Sequence, residues 1–302
     1  MVYTVTFNPA VDYVVETDGL ITGSVNRSLS ENIFWGGKGI NVSAVLNELG
    51  MKSRALGFIA GFTGKAIEEG VRSMGIETDL VELAEGCSRI NVKIRSGGVT
   101  EINGSGPNIP KEALDCLYGK LDALNDGDVP VLAGSIPKSL PCDIYEKILA
   151  RLSGKKIRAV VDATGELLLN TLKYRPFLVK PNINELGEMF GAELKTAEEA
   201  VRYAEKLKEM GAVNVLVSMG GDGAVLLDEN GTLHKCGACR GTVKNSVGAG
   251  ESRVAGFSAG LADGDDEYAR RLGTAAGGAT AFSDGLAKRE EIFELLKQLD
   301  QM

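Results

Sequence analysis

The stretch from Lys244 to Phe257 sets two glycines, Gly248 and Gly250, and an acid, Glu251, at the head of an apolar, small-residue run. Glycine lets successive backbone N–H groups converge on one point, and a helix starting there adds the partial positive charge of its N-terminus, so that point attracts an anion. Glu251 would fall in the first helical turn, beside a phosphate held by the amides of Gly248, Ala249 and Gly250. From there its carboxylate can take a proton from an incoming hydroxyl. This spacing predicts phosphoryl transfer. An acid is also an ordinary residue for a first helical turn, and G-x-G before a helix is common in α/β proteins, so the loop alone leaves a purely structural reading open.

A second glycine loop, Gly36-Gly37-Lys38-Gly39-Ile40-Asn41, is predicted to open an amphipathic helix over 41–49 that ends at Gly50. Gly36 and Gly37 would let a ligand touch the backbone, with Lys38 and Asn41 as donors. The loop is neither G-x-x-x-x-G-K-[ST] nor the G-x-G-x-x-G of a first βα turn, so a P-loop is absent and a nicotinamide cofactor is disfavoured. Upstream, the β-rich run 2–7 breaks at Asn8-Pro9, and Asp12 follows where an α/β sheet binds ligands, at the carboxyl edge of its strands. A turn aspartate that caps local backbone fits that position as well.

These residues need a frame. From about Lys111 the pattern alternates: helix 111–124, strand 129–134, helix 142–152, strand 157–162, helix 165–173, strand 177–180. Such alternation predicts a parallel sheet with helical crossovers. Three of these strands end in polar residues, at Gly134-Ser135, at Asp162-Ala-Thr164 and at Lys180-Pro-Asn182, which together read as the rim of a cleft. Asn182 and Glu185 fit an N-cap with an acid in the first turn. The apolar strand 213–219 runs into Gly220-Gly221-Asp222-Gly223, where Ser218 is a donor and the glycines allow close passage to phosphate or ribose; 224–227 and 232–236 read as a hairpin. Strands near 13–16 and 26–35, with the period-two segments 89–95 and 99–102, suggest a small sheet standing off the main one. Closing helices are expected at 265–283 and 288–299, the first with a small-residue surface at 275–279 suited to close packing or to an adenine ring.

The 302 residues are 44% apolar and 25% charged, enough for a sizeable core, and the formal charge of −8 argues against nucleic acid or an anionic membrane as partner. The apolar runs are too short to span a bilayer, and the chain starts directly on a strand-like run without a leader pattern, so a cytoplasmic protein is expected. Five scattered cysteines do not form a disulfide framework. Cys236-Gly-Ala-Cys239 is a C-x-x-C, but His234 is the sole histidine, and the pair reads as structural rather than as a redox or zinc site.

The string N-S-V-G-A-G-E-S resembles the C-terminal signature of the ribokinase-like (PfkB) carbohydrate kinases, normally G-A-G-D, with Glu251 at the usual Asp position. N-P-A-V-D and G-G-K-G-x-N resemble that family's N-terminal and first-signature motifs, N-I-N-E its N-x-x-E, and V-S-M-G-G-D-G-A its nucleotide-side loop. The resemblance runs from Asn8 through the 270s. It implies a single three-layer α/β/α domain over 1–302 with a mainly parallel central sheet and a small β-sheet lid inserted at about 13–35 and 88–103. It further implies Glu251 as base with Gly248, Ala249 and Gly250 as anion hole; Asp12, Gly37, Lys38, Asn41, Arg89, Asn103 and Ser135 on the sugar side; and Lys180, Asn182, Ser218, Gly220, Gly221, Gly223 and Ser246 on the nucleotide side. Glu185 becomes a magnesium candidate, ATP and Mg²⁺ the expected cofactors, and a homodimer through the lid the expected assembly. Within the family, V-N-R-S, R-I-N-V-K-I and A-F-S-D-G most resemble bacterial kinases of fructose 1-phosphate, with tagatose-6-phosphate kinases sharing much of the pattern; Arg27, Arg89 and Lys93 suit a phosphorylated acceptor. The alternative is a sugar-phosphate and nucleotide binder that turns over weakly because of Glu251. Arg253, on the same helix, is read as pairing with an acid or with phosphate.

Overall fold

Alternate residues of the central strands are apolar on both sides, so the sheet they form must be covered on both faces. In the computed structural model, which describes residues 1–262 and 266–300, this is the case. The chain opens with β1 (Val2–Thr6), passes through β2 (Ala10–Thr17) and β3 (Ser28–Gly36), and enters α1 (Lys38–Glu48). Then come β4 (Ser53–Ala60), α2 (Gly61–Ser73), β5 (Glu77–Thr78), β6 (Val81–Leu83) and the antiparallel pair β7 (Arg89–Arg95) and β8 (Val99–Asn103). Alternation follows: α3 (Lys111–Asp122), β9 (Val129–Ala133), α4 (Ile144–Leu152), β10 (Val160–Asp162), α5 (Gly165–Leu169), β11 (Leu178–Val179), α6 (Ile183–Met189), α7 (Ala197–Glu209) and β12 (Asn214–Ser218). The hairpin β13 (Ala224–Leu227) and β14 (Leu233–Cys236) leads to α8 (Ala249–Ala262), α9 (Asp266–Phe282) and α10 (Arg289–Asp300). The expected helix start at 265, and residues 301–302 of the expected domain span, lie outside the described residues.

The main sheet runs β14-β13-β12-β11-β10-β9-β1-β4-β5, with β6 also on β4; the β12–β13 and β13–β14 pairs are antiparallel and the others parallel. Val131, Val160, Leu178 and Leu216 face one core, under α1, α8, α9 and α10. Leu132, Val161, Val179 and Val217 face the other, under α3 to α7. Truncating one such side chain, Leu132→Ala for instance, would cost about 2–5 kcal/mol. The second sheet has the order β3-β2-β7-β8, and it rests on the first through Val11 and Trp35, which pack with α2. Among the described residues no helix is long and apolar enough to cross a membrane.

Helix α8 is held by α9 at very short range. A Cβ on Gly260 would lie 2.3 Å from Ala269 Cα and one on Gly256 2.6 Å from the Leu272 carbonyl oxygen, so the small residues serve close helix packing. The parallel strands β1, β4, β9, β10, β11 and β12 all end on one edge of the sheet, with β4 on one side of β1 and β9 on the other. Ligands of open α/β sheets bind at such a switch of strand order.

Several elements depart from their expected bounds. Helix α1 starts at Lys38 rather than Asn41, because Gly37, at φ 132°, already serves as its N-cap and its carbonyl accepts the Asn41 amide at 2.9 Å. Asp12 is not in a turn past β1: after the Asn8-Pro9 break the chain re-enters extended structure at once, and Asp12 sits within β2, paired with β3 and β7. The expected helix 165–173 is shorter, a five-residue α5 followed by a 3₁₀ turn at Leu172–Tyr174.

Candidate active site

Glu251 lies in the first turn of α8 and is 8% exposed. Gly248 precedes the helix at φ 86°, where a Cβ would meet Leu286 Cδ2 at 2.6 Å, so this position requires glycine for conformation and for space. Gly250 does not take the special backbone conformation expected of it: it is helical, and its missing side chain makes room for Lys180, whose Nζ would lie 3.1 Å from a Cβ there.

Around Glu251 stands a compact set of charges. Lys38 Nζ is 3.9 Å from Glu251 Oε1 and 3.9 Å from Asp162 Oδ1, and Lys180 Nζ is 3.2 Å from the same Asp162 oxygen. Lys180 and Asp162 are buried, and Asp162 Oδ2 has no hydrogen-bond partner among the described residues. Burial pushes the Glu251 carboxyl above its ordinary range, the Asp162 charge adds to that, and Lys38 and Lys180 only partly offset it. Burial alone would pull the Lys38 ammonium down; the carboxylates of Asp162, Glu251 and Glu185 more than compensate and keep it charged. A carboxylate so placed is a good proton acceptor, and two fixed ammonium groups beside it suit a developing phosphoryl charge.

Two cavities take in several of the residues expected to bind substrate. A small one of about 220 Å³ is lined by Thr6, Asn8, Lys38, Arg89, Gly134 and Ser135. Arg89 gives its Nε–H to the Asn8 carbonyl at 3.0 Å, which leaves the outer guanidinium nitrogens for an anion, although burial lowers its pKa and Asp12 restores part. The larger, of about 990 Å³, lies between the second sheet and the main body and takes in Asp12, Gly36, Asn41, Lys93 and Ser246. Asp12 Oδ1 accepts from Asn91 Nδ2 at 2.8 Å, and Lys93 Nζ is 3.9 Å from Oδ2. Gly36 underlies this carboxylate so closely that a Cβ would fall 2.3 Å from Asp12 Oδ2. Gly37 is likewise pressed on Thr6 Cγ2, 2.6 Å from a built Cβ.

The remaining candidates divide. Asn182 and Glu185 form a capping box: Asn182 Oδ1 accepts the Glu185 amide and Glu185 Oε2 accepts the Asn182 amide, both at 2.8 Å. Ser218 ends β12 and bridges in parallel to Asn182, which places Lys180, Asn182 and Ser218 side by side. Gly220 and Gly221 have open space where side chains would be, whereas Gly223 is required by packing, with a Cβ position 2.0 Å from the Cys236 carbonyl oxygen. Ser246 lies with Asp12 and Asn41 in the larger cavity rather than with the Lys180 group. Asn103 is exposed at the end of β8 and lines neither cavity; Asn91, opposite it, is the residue that reaches Asp12. Cys236 and Cys239 are free and buried in the core, and burial raises the Cys239 thiol to about 11.

Asp162 is the central side chain that no sequence motif singled out; its only signal was its place among the polar strand ends. Among the described residues no group of three or more His, Cys, Asp or Glu side chains forms a metal cage. The spare oxygen of Glu185 and the unpartnered Asp162 Oδ2 nonetheless fit magnesium bound chiefly by phosphate and water, which takes only one or two carboxylates.

The profile described as pfkB family carbohydrate kinase matches residues 5–291. The chain is 47% identical to the 1-phosphofructokinase of Bacillus subtilis over 300 residues, covering 99% of this chain and 98% of the relative. It is 38% identical to a D-tagatose-1-phosphate kinase of Bacillus licheniformis, with 99% and 98% covered. Phosphofructokinase-2 of Escherichia coli in complex with substrates and products superimposes with a TM-score of 0.93 at 25% identity, covering 99% of both chains.

Proposed function

Because the chain belongs to the pfkB family of carbohydrate kinases and is a phosphotransferase of that class, we propose that it transfers the terminal phosphoryl group of ATP to the 6-hydroxyl of fructose 1-phosphate, giving fructose 1,6-bisphosphate. The observation that carries the reading is the buried Glu251 at the head of α8, grouped with Lys38, Asp162 and Lys180, with Lys38 also lining the smaller cavity. In this assignment Arg89 and Ser135 take the 1-phosphate, since a guanidinium fork suits phosphate geometry, while Lys38, 3.9 Å from Glu251, stabilises the charge that develops on the transferring phosphoryl group. Asp12 and Asn41 bind ring hydroxyls over Gly36 and Gly37. The amides of Gly248, Ala249 and Gly250 and the N-terminus of α8 receive the γ-phosphate, with Lys180, Asn182, Ser218, Gly220 and Gly221 on the nucleotide side. Glu251 removes the proton from O6 as that oxygen attacks phosphorus and the bond to the β-phosphate breaks, leaving ADP.

Glu185 and Asp162 would hold magnesium against the donor phosphates, where the ion supplies charge neutralisation. A reaction that consumes ATP is in keeping with the cytoplasmic location expected of the chain. A homodimer through the second sheet is part of the same reading: Ile33, Ile90 and Ile102 share by register the face opposite Asp12 and are all exposed, an apolar patch that a second copy would cover.

A second acceptor deserves weight because of the tagatose-1-phosphate kinase relative, which points to the 1-phosphate of tagatose in place of the 6-phosphate first expected. The two ketoses differ only in configuration at C4. ADP release measured with fructose 1-phosphate, tagatose 1-phosphate, fructose 6-phosphate, tagatose 6-phosphate and the free sugars decides between them. The highest kcat/KM is expected with fructose 1-phosphate; preference for a 6-phosphate or a free sugar would overturn the assignment.

A further inference from the structure

Arg253 stands two residues beyond Glu251, so the helix carries it about 200° around its axis from the base. It is 8% exposed, and among the described residues it enters no ion pair. Its Nη1 donates to the carbonyl of Gly223 at 3.1 Å, and the missing side chain of Gly277, whose Cβ would lie 3.3 Å from Arg253 Nε, makes room for the guanidinium. The Gly223 carbonyl already accepts the Met219 amide at 2.9 Å, closing a tight loop in which Asp222 and Gly223 donate back to Met219 and Gly220. The arginine therefore ties to α8 a loop that otherwise rests on its own turn, on the β12–β13 ladder and on the backbone at Cys236.

Taking a guanidinium out of water is expensive, and one neutral carbonyl does not return that cost. Burial also lowers its pKa, with the neighbouring thiols of Cys236 and Cys239 giving back only part. An apolar side chain of similar length would serve the α8–α9 packing at least as well. A charge retained at such a position is better explained by what it holds.

We propose that Arg253 is a positioning residue for the phosphoryl donor: by clamping the Gly223 carbonyl to α8 it keeps the 219–223 loop in register with the helix that bears Glu251. The proposal rests on the assignment of that loop to the nucleotide side. A hydrogen bond from a charged donor is worth about 1.5–3 kcal/mol, so Arg253→Met should raise KM for ATP by about ten- to a hundredfold. KM for fructose 1-phosphate should stay within about twofold, the loss being confined to the donor side. The melting temperature of Arg253→Met should equal or exceed that of the unaltered protein, because an uncompensated buried cation is gone. Arg253→Lys, which keeps the charge and one donor, should recover part of the ATP affinity. Equal rises in both KM values together with a lower melting temperature, or no change in KM for ATP, would overturn the clamp and leave a packing role. Stabilisation by ATP separates the two levels. If ATP fails to raise the melting temperature of the unaltered protein, the donor assignment has failed and the clamp falls with it; if ATP stabilises the unaltered protein and Arg253→Met equally, only the clamp is wrong.

Discussion

Asp162 and Glu251 share one ammonium group: Lys38 Nζ lies 3.9 Å from Oδ1 of the first and 3.9 Å from Oε1 of the second. Two carboxylates drawn toward one cation in a buried site do not ionise independently, and burial followed by the Asp162 charge holds the Glu251 carboxyl above its usual range.

A pH profile follows. Glu251 accepts a proton only when ionised, so kcat/KM should climb on an acid limb placed above the ordinary glutamate value of about 4.3. In Asp162→Asn the opposing charge is gone and both lysines are freed toward Glu251, so the limb should move to lower pH. An unmoved limb, or one displaced upward, would contradict this coupling.

The same shift affects stability with a definite sign. A carboxyl whose folded pKa is raised favours the folded state below the unfolded value, and that contribution disappears as pH rises through the folded pKa. At pH 8 the ionised Glu251 is therefore a burden. Glu251→Gln should melt about 1–3 °C higher there, with the gap closing as the pH is lowered through the acid range. Calorimetry across that range checks the sign; a variant that melts lower at pH 8 would refute it.

Much of this site was readable in the sequence, and the rest was not for physical reasons. Gly248 and Glu251 announce themselves because a left-handed glycine and a first-turn acid are local features, and the alternation after Lys111 gives the parallel sheet through period alone. Asp12 was misplaced because Asn8-Pro9 reads as the end of a strand, whereas it is a crossing from one sheet to the other. Asn182 and Glu185 make the local capping box that their spacing predicts. Asp162 and the helical Gly250 depend on which strand ends and which lysine lie opposite, and that information exists only after folding.

Gly36 tests the acceptor side. The Cβ of Gly36→Ala would fall 2.3 Å from Asp12 Oδ2 and must displace that carboxylate. A displacement of about 1 Å can cost on the order of a hundredfold. KM for fructose 1-phosphate should rise about ten- to a hundredfold while KM for ATP stays near its original value. Steady-state kinetics with each substrate varied in turn will show it, and an equal effect on both substrates would remove Asp12 from the acceptor site.

The outer face of the second sheet tests the assembly. Ile102 is 60% exposed and Ile33 54%, and a charge at either should be incompatible with a covered apolar face. Light scattering coupled to size exclusion should report a dimer for the unaltered chain and a monomer for Ile102→Glu. A monomer in both cases, or a dimer in both, would count against this interface.

The most direct measurement is ADP release with fructose 1-phosphate and ATP by the unaltered chain, Glu251→Gln and Glu251→Asp. Glu251 as general base predicts turnover by the unaltered chain and a fall in kcat of about 10²- to 10⁴-fold for Glu251→Gln with both substrates still bound. Binding without turnover in the unaltered chain, with turnover appearing only in Glu251→Asp, would contradict it.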